Sequence, residues 1–349
     1  MNLGNIQQNN DLFYLVSEKN ITKDASYYSL LIGLRAYFET YYDVSMELRE
    51  YCQEDEKCIN DIVQDIDNYI KSYINIAIHI QHFFELEIKR ILENEHVLFA
   101  VDTKGDPIIT HKLLNNIQLQ ANDTEKLKSI EFSDAVARLR KLVNNNIIVD
   151  DVAKILINNE QALKAINFLR NTTLHRGRRL MKYCSLDMLF VQNLLPLIKE
   201  IIDQPYYVEY KKAYNNNGIY EIIGDLIKEG KVSDIDYPQI ALLKEIGRCK
   251  LELESKQQLY EYDDKEYLEK TIEKKVDYSF NEIVKTDKVC PCCNKKTIIE
   301  GYEFMGYDMD ELGDEMDTSG GFQIINVPDY EKYYECVVCG FKVSTFVRF

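Results

Sequence analysis

A mainly α-helical chain carrying a small β module in its C-terminal region is the fold class that this sequence predicts. Three observations carry that reading. Apolar residues recur at three- and four-residue spacing as far as about residue 257, and glycine and proline are sparse, at 14 and 6 of 349 residues. Beyond Val284, β-branched and aromatic residues alternate with turns. With 46% hydrophobic side chains the chain is globular and long enough for one large core or several smaller ones.

Residues 1–24 are polar and Asn/Gln-rich apart from Leu12, Phe13, Tyr14, Leu15 and Val16, which predicts an arm with one short strand or staple. From Ser26 to about Glu93 two long helices are expected. The first runs through Tyr27, Leu30, Leu31, Leu34, Tyr37 and Phe38; the second sets Ile76, Ile80, Phe83, Phe84, Ile88 and Ile91 on one core-facing stripe. Gly105 and Pro107 make residues 101–110 a loop. Ser133 then stands as the N-cap of a helix through Val136, Leu139, Leu142 and Val143, which Asn144, Asn145 and Asn146 end. A short helix at 150–157, an amphipathic one at 159–174 through Leu163, Ile166 and Leu169, and another from Ser185 complete a helical domain over 25–203. Residues 204–285, rich in Tyr, Lys and Glu, read as a helical connector with charged surface and helices near 218–228 and 237–257. Residues 286–349 form the β module.

In that module Cys290-Pro291-Cys292-Cys293 is followed, after a long insert, by Cys336-Val337-Val338-Cys339-Gly340. Each Cys-x2-Cys turn sets two thiolates on one side of a tight loop, and two such turns facing each other satisfy tetrahedral Zn²⁺. Cys290, Cys293, Cys336 and Cys339 are therefore expected to hold one structural zinc ion per chain. They close a zinc ribbon whose hairpin comes from IIEGYEF (298–304) and FQIINV (322–327). Cys292 competes with Cys293 as the partner of Cys290 and reads as a spare thiol. Four thiolates leave no open position for water, which excludes a hydrolytic metal. The insert gathers Asp308, Asp310, Glu311, Asp314, Glu315 and Asp317, a solvated acidic loop whose spacing departs from that of a Ca²⁺ loop.

No stretch approaches the roughly 18 consecutive apolar residues of a membrane span, and the first residues lack a basic region followed by an apolar one. With its cysteines spaced as metal ligands, the sequence predicts a cytoplasmic protein without a membrane partner. A net charge of −16 excludes a protein that coats nucleic acid nonspecifically, so a nucleic-acid site must be a local patch. One stretch qualifies. From Gln161 to Leu186 there is no acidic residue, while Lys164, Arg170, Arg176, Arg178, Arg179 and Lys182 supply positive charge.

Within that stretch Arg170 and Asn171 are followed by His175. An imidazole can take the 2′-hydroxyl proton of RNA or protonate the leaving 5′-oxygen, and a guanidinium can neutralise charge building on phosphorus. At about 100° per residue, positions five apart point roughly 140° away from each other on a regular helix. Either the helix loosens at Thr172, Thr173 and Gly177, or two copies meet across a two-fold axis and share a cleft.

Arg-x4-His with Asn directly after the Arg, near the end of a helix in an all-α domain, resembles the HEPN (higher eukaryotes and prokaryotes nucleotide-binding) superfamily. QHFFELEIKRILENEHVLFAVD resembles the HEPN helix with a Glu-Leu-x-x-Lys core, and SIEFSDAVARLRKL resembles the short helix leading into the motif helix. The similarity covers about residues 25–203. It implies a four- to five-helix bundle that dimerises, with Arg170 and His175 catalytic, Asn171 a polar support, and Glu85 orienting the Arg. Glu85 reads equally as an i,i+4 surface partner of Lys89. Arg176, Arg178, Arg179 and Lys182 would grip RNA.

The function this predicts is a homodimeric, metal-independent endoribonuclease in antiphage defence or a toxin system. Its substrate would be tRNA or other RNA, with a protein regulator, an antitoxin or a phage-derived trigger as partner. The alternative is a noncatalytic HEPN and zinc-ribbon module that recruits nucleic acid or a protein.

Overall fold

The computed structural model describes residues 24–41, 67–120, 123, 127–176, 180–233, 235–255, 270, 273, 283–308 and 327–344. The arm at 1–23, Arg178, Arg179 and the acidic run after Asp308 lie outside them, as does the side chain of Arg176. The described residues are mainly helical, with a small antiparallel sheet in the C-terminal region. They divide into two compact units. The first holds the described parts of 1–37, 70–216 and 223–231; the second holds those of 38–69, 217–222 and 232–349.

The helices of the first unit follow the apolar spacing closely. Helix α1 spans Ala25–Phe38 and α2 spans Asp67–Glu95. Ile76, Ile80, Phe83, Phe84 and Ile88 of α2 are fully buried, as are Leu30 and Leu34 of α1. The two helices approach so closely that a Cβ on Gly33 would stand 2.5 Å from Ile80 Cδ1. A buried polar knot also joins them. Ser26 and Tyr207 donate to Glu87, whose carboxylate accepts from Arg90 at 3.0 Å, and the Arg90 guanidinium lies 4.0 Å over the Tyr206 ring.

Residues 101–110 are not the loop that Gly105 and Pro107 suggest. Strand β1 (Val101–Asp102) pairs antiparallel with β2 (Lys128–Ser129), and α3 begins at Pro107, running Pro107–Leu114. Asp106 Oδ1 accepts from the N–H groups of Ile108 and Ile109 at 2.9 and 3.2 Å. Pro107, which has no N–H to leave unpaired, sits in the first turn.

Helix α4, Phe132–Asn144, starts one residue before Ser133, so its N-cap position is Glu131 and Ser133 lies inside the first turn. Its end falls where the asparagines place it, with Asn146 in the left-handed region at φ 55°. Arg138 Nη1 donates to the carbonyls of Leu98, Phe99 and Val101, tying α4 to the segment after α2. Helices α5 (Asp151–Asn158) and α6 (Glu160–Arg176) follow, and α6 buries Leu163, Ile166 and Leu169.

The helix expected from Ser185 is divided. Helix α7, Tyr183–Leu189, passes through a π-helical turn at Phe190–Leu194 into α8, Leu195–Ile202. Pro196 offers no N–H and its ring crowds the preceding turn, so the regular ladder gives way there. Tyr37 stacks on Phe190 at 4.0 Å, and a Cβ on Gly230 would meet the Val191 backbone carbonyl at 2.8 Å. Helices α9 (Val208–Asn216) and α10 (Ile219–Glu229) complete the series, Tyr210 packing edge-on against Tyr27 at 5.0 Å.

In the second unit α11, Tyr237–Ser255, is buried from Ile240 through Cys249, polar residues Lys244, Glu245 and Arg248 included. The charges are internally satisfied. Lys244 Nζ lies 4.1 Å over the Tyr41 ring, and Arg248 pairs with Glu245 at 2.6 Å. The sheet runs in the order β3-β4-β5-β6, with β3 Val284–Lys285, β4 Ile298–Asp308, β5 Val327–Cys336 and β6 Lys342–Ser344. Strand β4 fulfils the IIEGYEF expectation. Its partner starts at Val327, the last residue of FQIINV, and continues to Cys336; residues 322–326 lie outside the described chain.

Candidate functional site

Helix α6 carries the Arg-x4-His motif unbroken, as helix to Arg176. A cleft of about 610 Å³ in the first unit is bordered by Glu85, Lys89, Phe168, Arg170, Asn171 and His175, among others. One chain thus brings Arg170 and His175 to one cavity without the helix loosening at Thr172 or Thr173. The angular difficulty disappears because the cleft wraps around one side of the helix. Asn171 and His175, a turn apart, lie in the middle of that side and Arg170 reaches in from its flank. Arg170 Nη1 donates to Asn171 Oδ1 at 3.0 Å, which fixes the guanidinium to its neighbour.

The far wall comes from α2. Glu85 accepts from Lys89 Nζ at 2.5 Å and from Gln81 Nε2 at 2.9 Å. The i,i+4 pairing of Glu85 with Lys89 is present; Glu85 also borders the cleft, while the hydrogen bond of Arg170 runs to Asn171. Burial pushes its carboxyl up, but the hydrogen bonds from Lys89 and Gln81, with the nearby positive charge, outweigh burial and hold it below the usual 4.5. Tyr73, hydrogen bonded to Thr173 and to the Met181 backbone, ties α2 to the end of the motif helix. Asn171 and His175 are exposed, and Arg170 is half-buried. Lys182, of the expected basic patch, is half-buried at the N-cap of α7.

Two of the other histidines are held in local hydrogen bonds. Ser29 Oγ is hydrogen bonded to His82 Nδ1 at 2.8 Å, and His96 Nδ1 accepts from the Leu98 N–H at 3.2 Å.

The second unit holds the cysteines. The Sγ atoms of Cys290, Cys293, Cys336 and Cys339 lie within 4.8 Å of one another, a cluster able to hold a metal ion. Two edges of this cluster are Cys290 to Cys339 at 3.5 Å and Cys293 to Cys336 at 3.6 Å. These exceed a disulfide bond of about 2.05 Å and approach the roughly 3.8 Å edge of a tetrahedron with metal–sulfur bonds of about 2.3 Å. The turns deliver them by backbone bonding. Asn294 N–H donates to Cys290 O, Gly340 N–H donates to Cys336 O, and Gly340 takes φ 74°, a conformation glycine adopts without strain. Hydrogen bonds with Cys290, Cys293, Cys339 and Thr297 outweigh burial and hold the Cys336 thiol far below its ordinary range.

Cys292, read from the sequence as a spare thiol, has neighbours of its own. Its Sγ joins those of Cys339 and of Cys249, from α11, in a second group within 4.8 Å. Cys249 escaped the sequence reading because no spacing rule links a helix to a ribbon; the one signal was a cysteine amid alternating apolar and charged residues. Among the described residues these two cysteine groups are the ones that could hold a metal.

Fold and sites together define a mainly helical protein with a motif-lined cleft and a separate thiol cluster. Comparison with family models, curated proteins and solved structures finds no match to this chain. No described helix is long and apolar enough to cross a membrane.

Proposed function

We propose that the helical unit is a metal-independent endoribonuclease of HEPN type, and that the four-cysteine cluster binds one structural zinc ion in a ribbon. The observation that carries the reading is the shared cleft, in which a carboxylate, a guanidinium, an amide and an imidazole border one cavity. His175 takes the 2′-hydroxyl proton as the 2′-oxygen attacks phosphorus. The phosphorus–O5′ bond breaks, the leaving 5′-oxygen takes a proton from water, His175 gives its proton back to solvent, and 2′,3′-cyclic phosphate and 5′-hydroxyl ends result. Arg170, steadied by Asn171, offsets charge on the phosphoryl oxygens, while Glu85 sets the charge balance of the opposite wall. In this reading Arg176, Arg178, Arg179 and Lys182 bind the phosphates of the RNA.

A second copy completes the site in this reading. Phe168 is 60% exposed at the cleft edge and Leu174 is 47% exposed on the same helix, apolar surface suited to burial against a two-fold mate. The role is that of a defence or toxin nuclease in the cytoplasm, released by a protein or phage-derived trigger. Zinc shapes the ribbon and leaves the chemistry to the helical unit.

The test uses protein carrying its metal, incubated with total RNA in buffer free of added divalent ions. Wild-type protein is expected to cut, leaving cyclic phosphate ends, and His175→Ala and Arg170→Ala to leave RNA whole. Uncut RNA, or equal cutting by all three proteins, sinks the nuclease reading and leaves the noncatalytic binding module.

A further inference from the structure

Three thiols from three separate segments converge beside the four-cysteine cluster. Cys249 comes from α11, Cys292 from the first cysteine turn and Cys339 from the second, and all three residues are buried. A single buried cysteine is ordinary core material, a small hydrophobe. This group differs in its surroundings. Arg248 Nη2 donates to Cys249 Sγ at 3.3 Å and to Gly340 O at 3.1 Å. The guanidinium thus stands in hydrogen-bond contact with one of the three sulfurs and with the backbone of the second cysteine turn. Cys339 belongs to both groups, and a thiolate sulfur bound to one ion keeps a lone pair for another.

We propose that Cys249, Cys292 and Cys339 hold a second thiophilic metal ion, zinc in the first instance, bridged to the first through the Cys339 sulfur. The proposal rests on the four-thiolate zinc reading, because it shares that ligand. Six thiolates around two divalent ions leave surplus negative charge, and the Arg248 guanidinium, paired with Glu245 and with Glu252 at 2.6 Å each, donates to one of those sulfurs. The second ion keeps one position for a ligand other than cysteine. Glu245 Oε1, 3.5 Å from Cys249 Sγ, is the carboxylate beside it, already held by Arg248 and by the Lys342 N–H at 3.0 Å. The consequence is architectural, since the second ion fastens α11 to both cysteine turns within the same unit.

The experiment counts zinc in the full chain, purified under reducing conditions, by elemental analysis and native mass spectrometry. Two ions per chain are expected in the wild type and one in Cys249→Ser and in Cys292→Ser. No zinc in the wild type sinks the four-thiolate reading and this proposal together. One ion in the wild type, or an unchanged count in Cys249→Ser, overturns the second site alone. Should either variant fail to fold, wild-type protein loaded with ¹¹³Cd decides: two resonances coupled through a shared sulfur are expected, and a single resonance overturns the proposal. A denatured mass lowered by loss of hydrogen, with Cys249 linked to Cys292, overturns it as well.

Discussion

Lys89 Nζ donates to Glu85 Oε1 at 2.5 Å across one turn of α2, and both side chains border the cleft that also receives Arg170 and His175. An ion pair on the wall facing the motif helix gives the cavity a fixed carboxylate that neither bulk solvent nor a flexible loop supplies.

Glu85→Gln tests that carboxylate. Cleavage is expected to fall by about tenfold or more, with the pair itself worth under about 1 kcal/mol of stability. The folded carboxyl titrates below its ordinary 4.5. Its contribution is therefore fully present above about pH 4.5 and lost as pH falls through the lowered folded value. Urea unfolding of wild type and variant at neutral and acid pH reads this directly; a stability gap that does not shrink in acid would contradict it.

His175→Ala is expected to lower cleavage by about 10² to 10⁴ and to change stability by no more than about 0.5 kcal/mol, since the side chain is exposed. Arg170→Lys keeps the charge but loses the planar fork that reaches Asn171, so it should restore little activity. Single-turnover rates and thermal melts on the same samples separate chemistry from folding.

Phe168→Glu places charge on the apolar rim of the cleft. Light scattering after gel filtration is expected to report a monomer where wild type gives a dimer, with cleavage lost in parallel. A monomeric wild type that cuts RNA would remove the second copy from the mechanism.

Zinc removal by a strong chelator should erase hydrogen-exchange protection over β4 to β6 while α2 and α6 stay protected. Equal loss of protection in both units would show that the metal supports the whole chain.

Gly230→Ala sets a methyl against the backbone of Val191 in the π-helical turn, where the neighbouring carbonyl cannot swing aside. A loss of about 1 to 3 kcal/mol is expected in chemical denaturation. An unchanged midpoint would mean that the turn yields.

Much of the helical unit was legible because burial follows period. Leu163, Ile166 and Leu169 announce α6, and the run from Ile76 to Ile88 announces the core face of α2. Local chemistry misled where one residue has two meanings. Pro107 breaks a helix in its interior yet starts one when Asp106 caps it, and Pro196 marks a change of helical pitch that no apolar pattern encodes. For the sites, Cys-x2-Cys spacing located the quartet because both members of each pair sit in one turn. Cys249 depends on tertiary packing alone, so its partners become visible only when α11 is laid against the cysteine turns. The burial of Lys244, Glu245 and Arg248 was hidden for the same reason, since charges that satisfy one another inside a fold look like surface in a sequence.

The sharing of Cys339 between the two cysteine groups also bears on how the protein is made. A nascent chain presents Cys249 and then Cys290, Cys292 and Cys293 well before Cys336 and Cys339 exist. Until those last donors are synthesised, the earlier thiols can be claimed by an oxidant or captured by the wrong ion. On the proposed metal reading, correct maturation depends on keeping those four early thiols reduced while translation proceeds, and a cell short of reductant would produce chains with a folded helical unit and a misassembled thiol cluster.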